Sequence, residues 1–343
     1  MKKETFNLVL RALIGAAAAL VIVGAMGLIT EAQGNKTIIE QASGLKATET
    51  VMTVNGEAVS AEEYLYMTAY AAQSLSYYGV TDLNVDLGDG MTAADYVAEQ
   101  AESQVIASAA LRAWAKDKGV ALTEVDLAAL QAQKDTYGSA EAFAQTLRLV
   151  GTTEALFDSL MSQDLLYNHL YELYCAEGGA LRPSDADLEI LAGEHKLVST
   201  YLLTMDAAAE GAKEKMEDYA ARLAAAENKE ETFLSFAAEL QCDSQVQTFD
   251  CCHSSPVNDA LLALGMNEVS AAVETDGAIY VMLRAELDLD TVAYVNYTEE
   301  YNHLVNEAVV EYNEKALSKI DVAAFYAKYT QLQQSIYNAV MQG

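Results

Sequence analysis

The sequence predicts a mainly helical α+β protein, on three observations. Among 343 residues only two are proline, Pro183 and Pro256, while Ala, Glu, Leu and Gln are abundant, so helices meet few breaks. Strand-like periodicity is confined to short stretches, at residues 51–60, 197–205 and 278–285. The apolar content of 52% can fill more than one core, and the length exceeds what a single core usually serves, so two or three units are expected. The balance of 20 basic against 51 acidic residues, a formal charge of −31, repels nucleic acid and anionic headgroups; no nucleic-acid partner is expected.

At the N-terminus Lys2, Lys3 and Arg11 precede an uncharged run of Leu, Ile, Val, Ala and Gly over residues 12–30. That is about the ~20 residues a helix needs to cross the hydrocarbon core. Positive charge ahead of the span predicts a single-pass anchor in the cell membrane, with a cytoplasmic N-terminus and an extracytoplasmic body. A cleaved signal peptide is the competing reading, although the run is long for one and Ile29-Thr30-Glu31-Ala32 lacks a clean small-x-small site. No cysteine precedes Cys175, which excludes a lipid-modified cysteine after the run. Residues 31–50 read as a polar tether.

From residue 51 the pattern becomes structured. Val51-Met52-Thr53-Val54 and Glu57-Ala58-Val59-Ser60 flank an Asn55-Gly56 pair, the signature of a two-residue hairpin. Ser60 with Glu63 forms a capping-box sequence for a helix that presents Tyr64, Met67, Ala71 and Leu75 on one stripe. Residues 81–91 are rich in Asp and Gly. Asp82, Asn84 and Asp86 stand at calcium-loop spacing, but Leu87 occupies the glycine position and no glutamate closes the loop, so a solvated loop is favoured over a calcium site. A helix over 93–118 ends at Gly119 behind Lys116 and Lys118, and helices open near Thr123, Ser139 and Thr153.

This order, a Val-Asn-Gly hairpin, a long helix closing on Lys-Gly-Val, short helices and a helix returning to about Cys175, resembles the N-terminal chaperone domain of SurA- and PrsA-type extracytoplasmic foldases. The segment 200–284 resembles a parvulin prolyl-isomerase domain through Tyr201-Leu202-Leu203, Phe236-Ala237, residues 259–264, Asn267-Glu268-Val269-Ser270 and the run into Leu283-Arg284. After the anchor or signal peptide over 1–30 and the tether over 31–50, the resemblance implies a chaperone domain over 51–180, a degenerate parvulin-like domain over 181–288, and helices over 289–343 that return to the chaperone domain. Within the parvulin-like part we expect strands at 197–205 and 278–285 and helices at 207–228, 231–240 and 258–264. Terminal helices are expected at 297–317 and 322–340, the second capped by Asp321.

Parvulins place two histidines under the substrate proline, and the matching positions here hold Tyr201 and Tyr280; Asp243 falls where the family keeps an acid or thiol. These three are the catalytic candidates that the resemblance implies, with His253, Val257 and Leu262 as substrate-binding candidates. Val257 replaces the pocket aromatic and the usual glycine-rich loop is missing, so the site is degraded. Tyrosine hydroxyls retain hydrogen-bonding capacity, and isomerisation needs only to lower a rotation barrier of ~20 kcal/mol, so activity stays open. Cys242, Cys251 and Cys252 lack the Cys-x2-Cys spacing that reads as zinc; in an exported protein a disulfide from Cys242 to Cys251 or Cys252 is the expectation. No metal and no cofactor are expected, and no nucleophilic triad, P-loop, dinucleotide fingerprint or HExxH occurs. The implied function is protein folding for secreted clients: extended polypeptides and X-Pro segments are the expected partners, besides the bilayer at 12–30. The alternative is a non-catalytic surface assembly protein with one dedicated partner.

Overall fold

Two units, each with its own core, make up the chain in a computed structural model that describes residues 36–275 and 277–342. The first comprises the described parts of Met1–Leu170 and Tyr301–Gly343; the second is Tyr171–Glu300. The expected membrane span at 12–30 lies outside the described residues. Among those described, no helix is long and apolar enough to cross a membrane.

The first unit begins with α1 (Ile38–Ser43), held by a reciprocal capping box between Thr37 and Glu40. Strands β1 (Thr50–Val54) and β2 (Glu57–Ser60) form the expected hairpin. Its turn residues Asn55 and Gly56 lie at φ 49° and 82°, the left-handed pair that an Asn-Gly sequence adopts with least strain. Ser60 caps α2 (Ala61–Tyr77) by accepting from the Glu63 amide at 3.1 Å. The expected reciprocal bond is absent, because Glu63 turns inward and takes both guanidinium nitrogens of Arg112 at 2.9 and 3.2 Å. A carboxylate with 7% of its side chain exposed needs a charged partner more than a backbone amide does.

Residues 81–91 are not a plain loop: β3 (Asp86–Gly88) pairs with β4 (Met91–Thr92). The long α3 (Ala93–Asp117) follows, then α4 (Glu124–Asp135), α5 (Ala140–Val150) and α6 (Glu154–Cys175). Thr92 and Thr123 cap α3 and α4 through boxes with Asp95 and Asp126.

In the second unit, α7 (Asp185–Glu194) leads into β5 (Leu197–Asp206), followed by α8 (Ala212–Ala225) and α9 (Lys229–Leu240). The expected helix over 207–228 starts late, because Asp206 accepts from the Ala208 amide in a turn and Gly211 takes φ 69° at the N-cap. Then come β6 (Gln247–Asp250), α10 (Pro256–Ala263), β7 (Val273–Glu274) and β8 (Ala278–Arg284). The sheet order is β6-β5-β8-β7, antiparallel throughout. Strands β6 and β7 are short edge strands without a full alternating pattern, so their residues carry no strand signal of their own. One face packs Leu203, Ile279, Val281 and Leu283 against Met216, Tyr219 and Phe233 of α8 and α9. The other packs Val198, Leu202 and Met282 against Leu261 of α10 and Phe249.

The chain returns to the first unit along α11 (Leu289–Asn306), then β9 (Val310–Tyr312), α12 (Glu314–Leu317) and α13 (Val322–Gln342). A helix over 297–317 is therefore corrected: it stops at Asn306, and β9 closes the open edge of β1 in a three-stranded sheet. Asn55 drives this by accepting from the Val309 amide through its side chain and donating its own amide to Val309 O; Asn313 bonds Thr50 and Val51 at the far end. Pairing those backbone groups outweighs the helical periodicity of the segment. Phe325, Tyr329 and Ile336 of α13 then share one core with Ile38 and Ile39 of α1, Val51 of β1, Leu65 of α2 and Val105 of α3.

Candidate functional site

On α2 the residues Tyr66, Tyr70 and Tyr77 recur at spacings of four and seven, which places all three on one face of a 3.6-residue helix. The face opposite carries the expected Tyr64, Met67, Ala71 and Leu75 stripe, so α2 is buried almost all round in its first three turns. Against the tyrosine face lies the start of α13. The Tyr326 hydroxyl lies near Ser76 and Tyr77, and Tyr326 stacks on Tyr329 at 6.4 Å and 20°. Tyr329 donates to Val150 O at 3.1 Å and accepts from the Gln333 amide at 2.8 Å.

Burial grades along this band. Tyr66 and Tyr329 are buried, and desolvation pushes the Tyr66 phenol up to about 12 and the Tyr329 phenol higher still. Tyr70 and Tyr326 are half-buried, while Tyr77 and Tyr78 are 80% and 85% exposed. Val85 and Leu87 of the β3–β4 hairpin are exposed as well. The gradient runs from a fixed aromatic base to free rings at the helix end. Such rings offer flat apolar faces and a hydroxyl with few rotamers to lose, which suits an extended polypeptide. The spacing of four and seven between Tyr66, Tyr70 and Tyr77 is the signal in the sequence that singles out these residues.

The second unit places the expected site residues apart. Tyr201 is paired with Leu283 and Tyr280 with Thr204. Directly paired residues share a face and neighbours alternate, so Tyr201 and Tyr280 project from opposite faces of the sheet. Tyr201 packs on Phe233 with ring centres 4.9 Å apart and donates to the Glu230 carboxylate at 2.8 Å; desolvation first, and this bond after it, raise its pKa. Tyr280 stands beside Val273 on the α10 face. The two tyrosines cannot close on one amide.

Asp243 is exposed and accepts from the Gln245 amide at 2.9 Å, holding a turn. It is Cys242 that touches the sheet: its thiol accepts from the Thr204 amide at 3.3 Å and donates to Thr204 O at 3.1 Å. Thr204 lies beyond the reach of the short β6, so the thiol satisfies a strand edge that would otherwise lack a partner. All four cysteines are free, which corrects the expected disulfide. Cys251 bonds Lys196 O at one end of β5 and Cys242 meets Thr204 eight residues further on; at ~3.3 Å per residue they are about 26 Å apart, against the ~7 Å a bridge spans.

Of the substrate-binding candidates, Val257 is half-buried among Leu261, Phe249 and Val198, Leu262 is 45% exposed, and His253 is exposed with its carbonyl accepting from Asn258. Among the described residues no group of His, Cys, Asp or Glu is placed to hold a metal. The carboxylates of the 81–91 segment serve turns instead, with Asp82 accepting from Asn84 and Asp86 from Gly88.

The helical unit is interrupted in sequence by a small α+β unit and carries the tyrosine band. Residues 1–171 match the SurA-like N-terminal domain family, so the chain carries a SurA-like N-terminal domain. No curated protein matches the sequence. Among solved structures the chain is similar to the foldase protein PrsA from Streptococcus pneumoniae, at 14% identity over 73% of this chain and 99% of that one, with a TM-score of 0.30. PrsA from Bacillus subtilis matches at 14% over 74% and 90%, with a TM-score of 0.27. A SurA-like chaperone from Campylobacter jejuni matches at 11% over 77% and 98%, with a TM-score of 0.18.

Proposed function

We propose that this protein is an extracytoplasmic folding factor, anchored in the cell membrane through residues 12–30, that holds unfolded or extended polypeptides on the tyrosine band of its first unit. The SurA-like N-terminal domain over residues 1–171 is the observation that carries the reading. The exposure of Tyr77, at the end of an otherwise buried or half-buried aromatic row, and of Tyr78 beside it supports the reading. An exposed apolar patch is costly to keep unless something covers it, and a row of rings binds chains without demanding one sequence.

The second unit acts in this reading as a scaffold, with prolyl isomerisation by Tyr201, Asp243 and Tyr280 lost. An isomerase must grip one amide from several sides, and here the matched tyrosines occupy opposite faces of the sheet. Two assays on the full-length protein in detergent test both halves. Suppression of aggregation of a denatured client should be present and should weaken in Tyr77→Ser/Tyr78→Ser. A protease-coupled assay on an X-Pro peptide should give the uncatalysed rate; catalysis abolished by Tyr201→Ala or Tyr280→Ala would sink the scaffold assignment.

A further inference from the structure

The second unit contains an open cleft of about 300 Å³ between α7, the start of β5 and α10, at the lower end of ligand-sized cavities. Leu262, Leu264 and Leu287 supply an apolar wall, and Lys196 and Arg284 stand in the same lining with a single carboxylate, Glu189. Tyr201, Tyr280 and Asp243 take no part in it.

The two cations are exceptional in so acidic a chain. Elsewhere in this unit Arg182 pairs with Asp290, Lys213 with Glu274, Lys215 with Glu239 and Arg222 with Asp218. Neither Lys196 nor Arg284 has a side-chain partner among the described residues, and Arg284 is half-buried on the sheet. A partly desolvated guanidinium with five unused donors favours a carboxylate that can take two of them at once. Lys196 is held at the cleft by the turn between α7 and β5, where its backbone lies at φ 47° and its amide bonds Gly193 O. With Glu189 counted, the lining carries one net positive charge, which suits a monoanion better than a doubly charged phosphate.

We infer that this cleft binds the C-terminal end of a polypeptide, the free α-carboxylate on Lys196 and Arg284 and an apolar last side chain against Leu262, Leu264 and Leu287. A chain terminus carries both features on adjacent atoms, as the lining requires. The inference is independent of the tyrosine band in the first unit.

The test is fluorescence anisotropy of a dye-labelled hexapeptide ending in Leu-Leu, with a free carboxylate or as the amide, on the full-length protein in detergent. The acid should bind about tenfold more tightly than the amide, and Lys196→Gln and Arg284→Gln should each weaken it roughly fivefold, with less discrimination at high salt. Glu189→Gln should tighten it about twofold by removing the one like charge. Tyr77→Ser/Tyr78→Ser should leave it unchanged. Equal affinity for acid and amide, or no loss in either cation variant, overturns the inference. So does displacement of the peptide by octanoate at lower concentration than by Leu-Leu, which would make the cleft a fatty-acid site. Urea midpoints of all variants show that they are folded. Lys196→Gln, on an exposed side chain, decides alone if Arg284→Gln unfolds.

Discussion

The two units use tyrosine in opposite ways. In the first, Tyr66, Tyr70 and Tyr77 fall on one face of α2 and meet Tyr326 and Tyr329 of α13, so separate residues add up to one surface. In the second, Tyr201 and Tyr280 sit on adjacent strands, yet the register sends them to opposite faces. A helix gathers residues at spacings near multiples of 3.6, which the sequence displays directly. A sheet gathers them by parity between two strands far apart in the chain, which only the pairing reveals. Matching positions in two strands therefore says less about a shared site than matching positions in one helix.

The largest expected effect concerns what holds the first unit rigid enough to present its tyrosines. Glu63 and Arg112 form a largely buried ion pair between α2 and α3. Removing one partner leaves the other charge without compensation, so Glu63→Ala should cost about 3–5 kcal/mol, read from the urea midpoint. A loss under ~1 kcal/mol would mean that Arg112 finds water or another partner, as exposed pairs do. Next comes the tyrosine band itself. Tyr77→Ser/Tyr78→Ser removes two rings that bury almost nothing in the folded chain, so the urea midpoint should stay in place. Client affinity should fall about tenfold, ~1.4 kcal/mol. Tyr201→Phe with Tyr280→Phe should leave client affinity alone, and a fall equal to that of the first pair would erase the contrast between the units.

Much of the fold was legible because its signals are local. The Asn55-Gly56 turn, the Thr and Ser caps, Gly119 at the end of α3, and the strands at 197–206 and 278–284 each follow from a few neighbouring residues. What was not legible depends on distant partners. Residues 310–312 read as helix until Asn55 and β1 offer them a sheet edge, and Glu63 reads as half of a capping box until Arg112 competes for it. The expected disulfide failed for the same reason: only eight residues separate Cys242 from Cys251, but the chain between them runs the length of β5. A further prediction follows from that placement. Dithiothreitol should not shift the melting temperature, and thiol titration in denaturant should count four free sulfhydryls. Two would restore the bridge.

The smallest effect is expected at the start of α4, and it separates a surface built by helix geometry from one tuned by pH. Asp126 accepts from the Thr123 hydroxyl at 2.6 Å and from the Thr123 amide at 2.7 Å, and its Oδ2 lies 2.8 Å from His169 Nε2 of α6. Those bonds, the Thr123 hydroxyl first, hold its pKa at about 2, below the ~4 of an unfolded aspartate. A carboxyl with a depressed folded pKa stabilises the fold fully above its unfolded value and loses that contribution as the pH falls from about 4 to 2. Asp126→Asn should therefore flatten the melting temperature against pH in that window while leaving the tyrosine band and its client affinity at neutral pH unchanged. If the variant instead weakens client holding at pH 7, the α4–α6 contact positions the holding surface, and the band on α2 and α13 is not sufficient by itself.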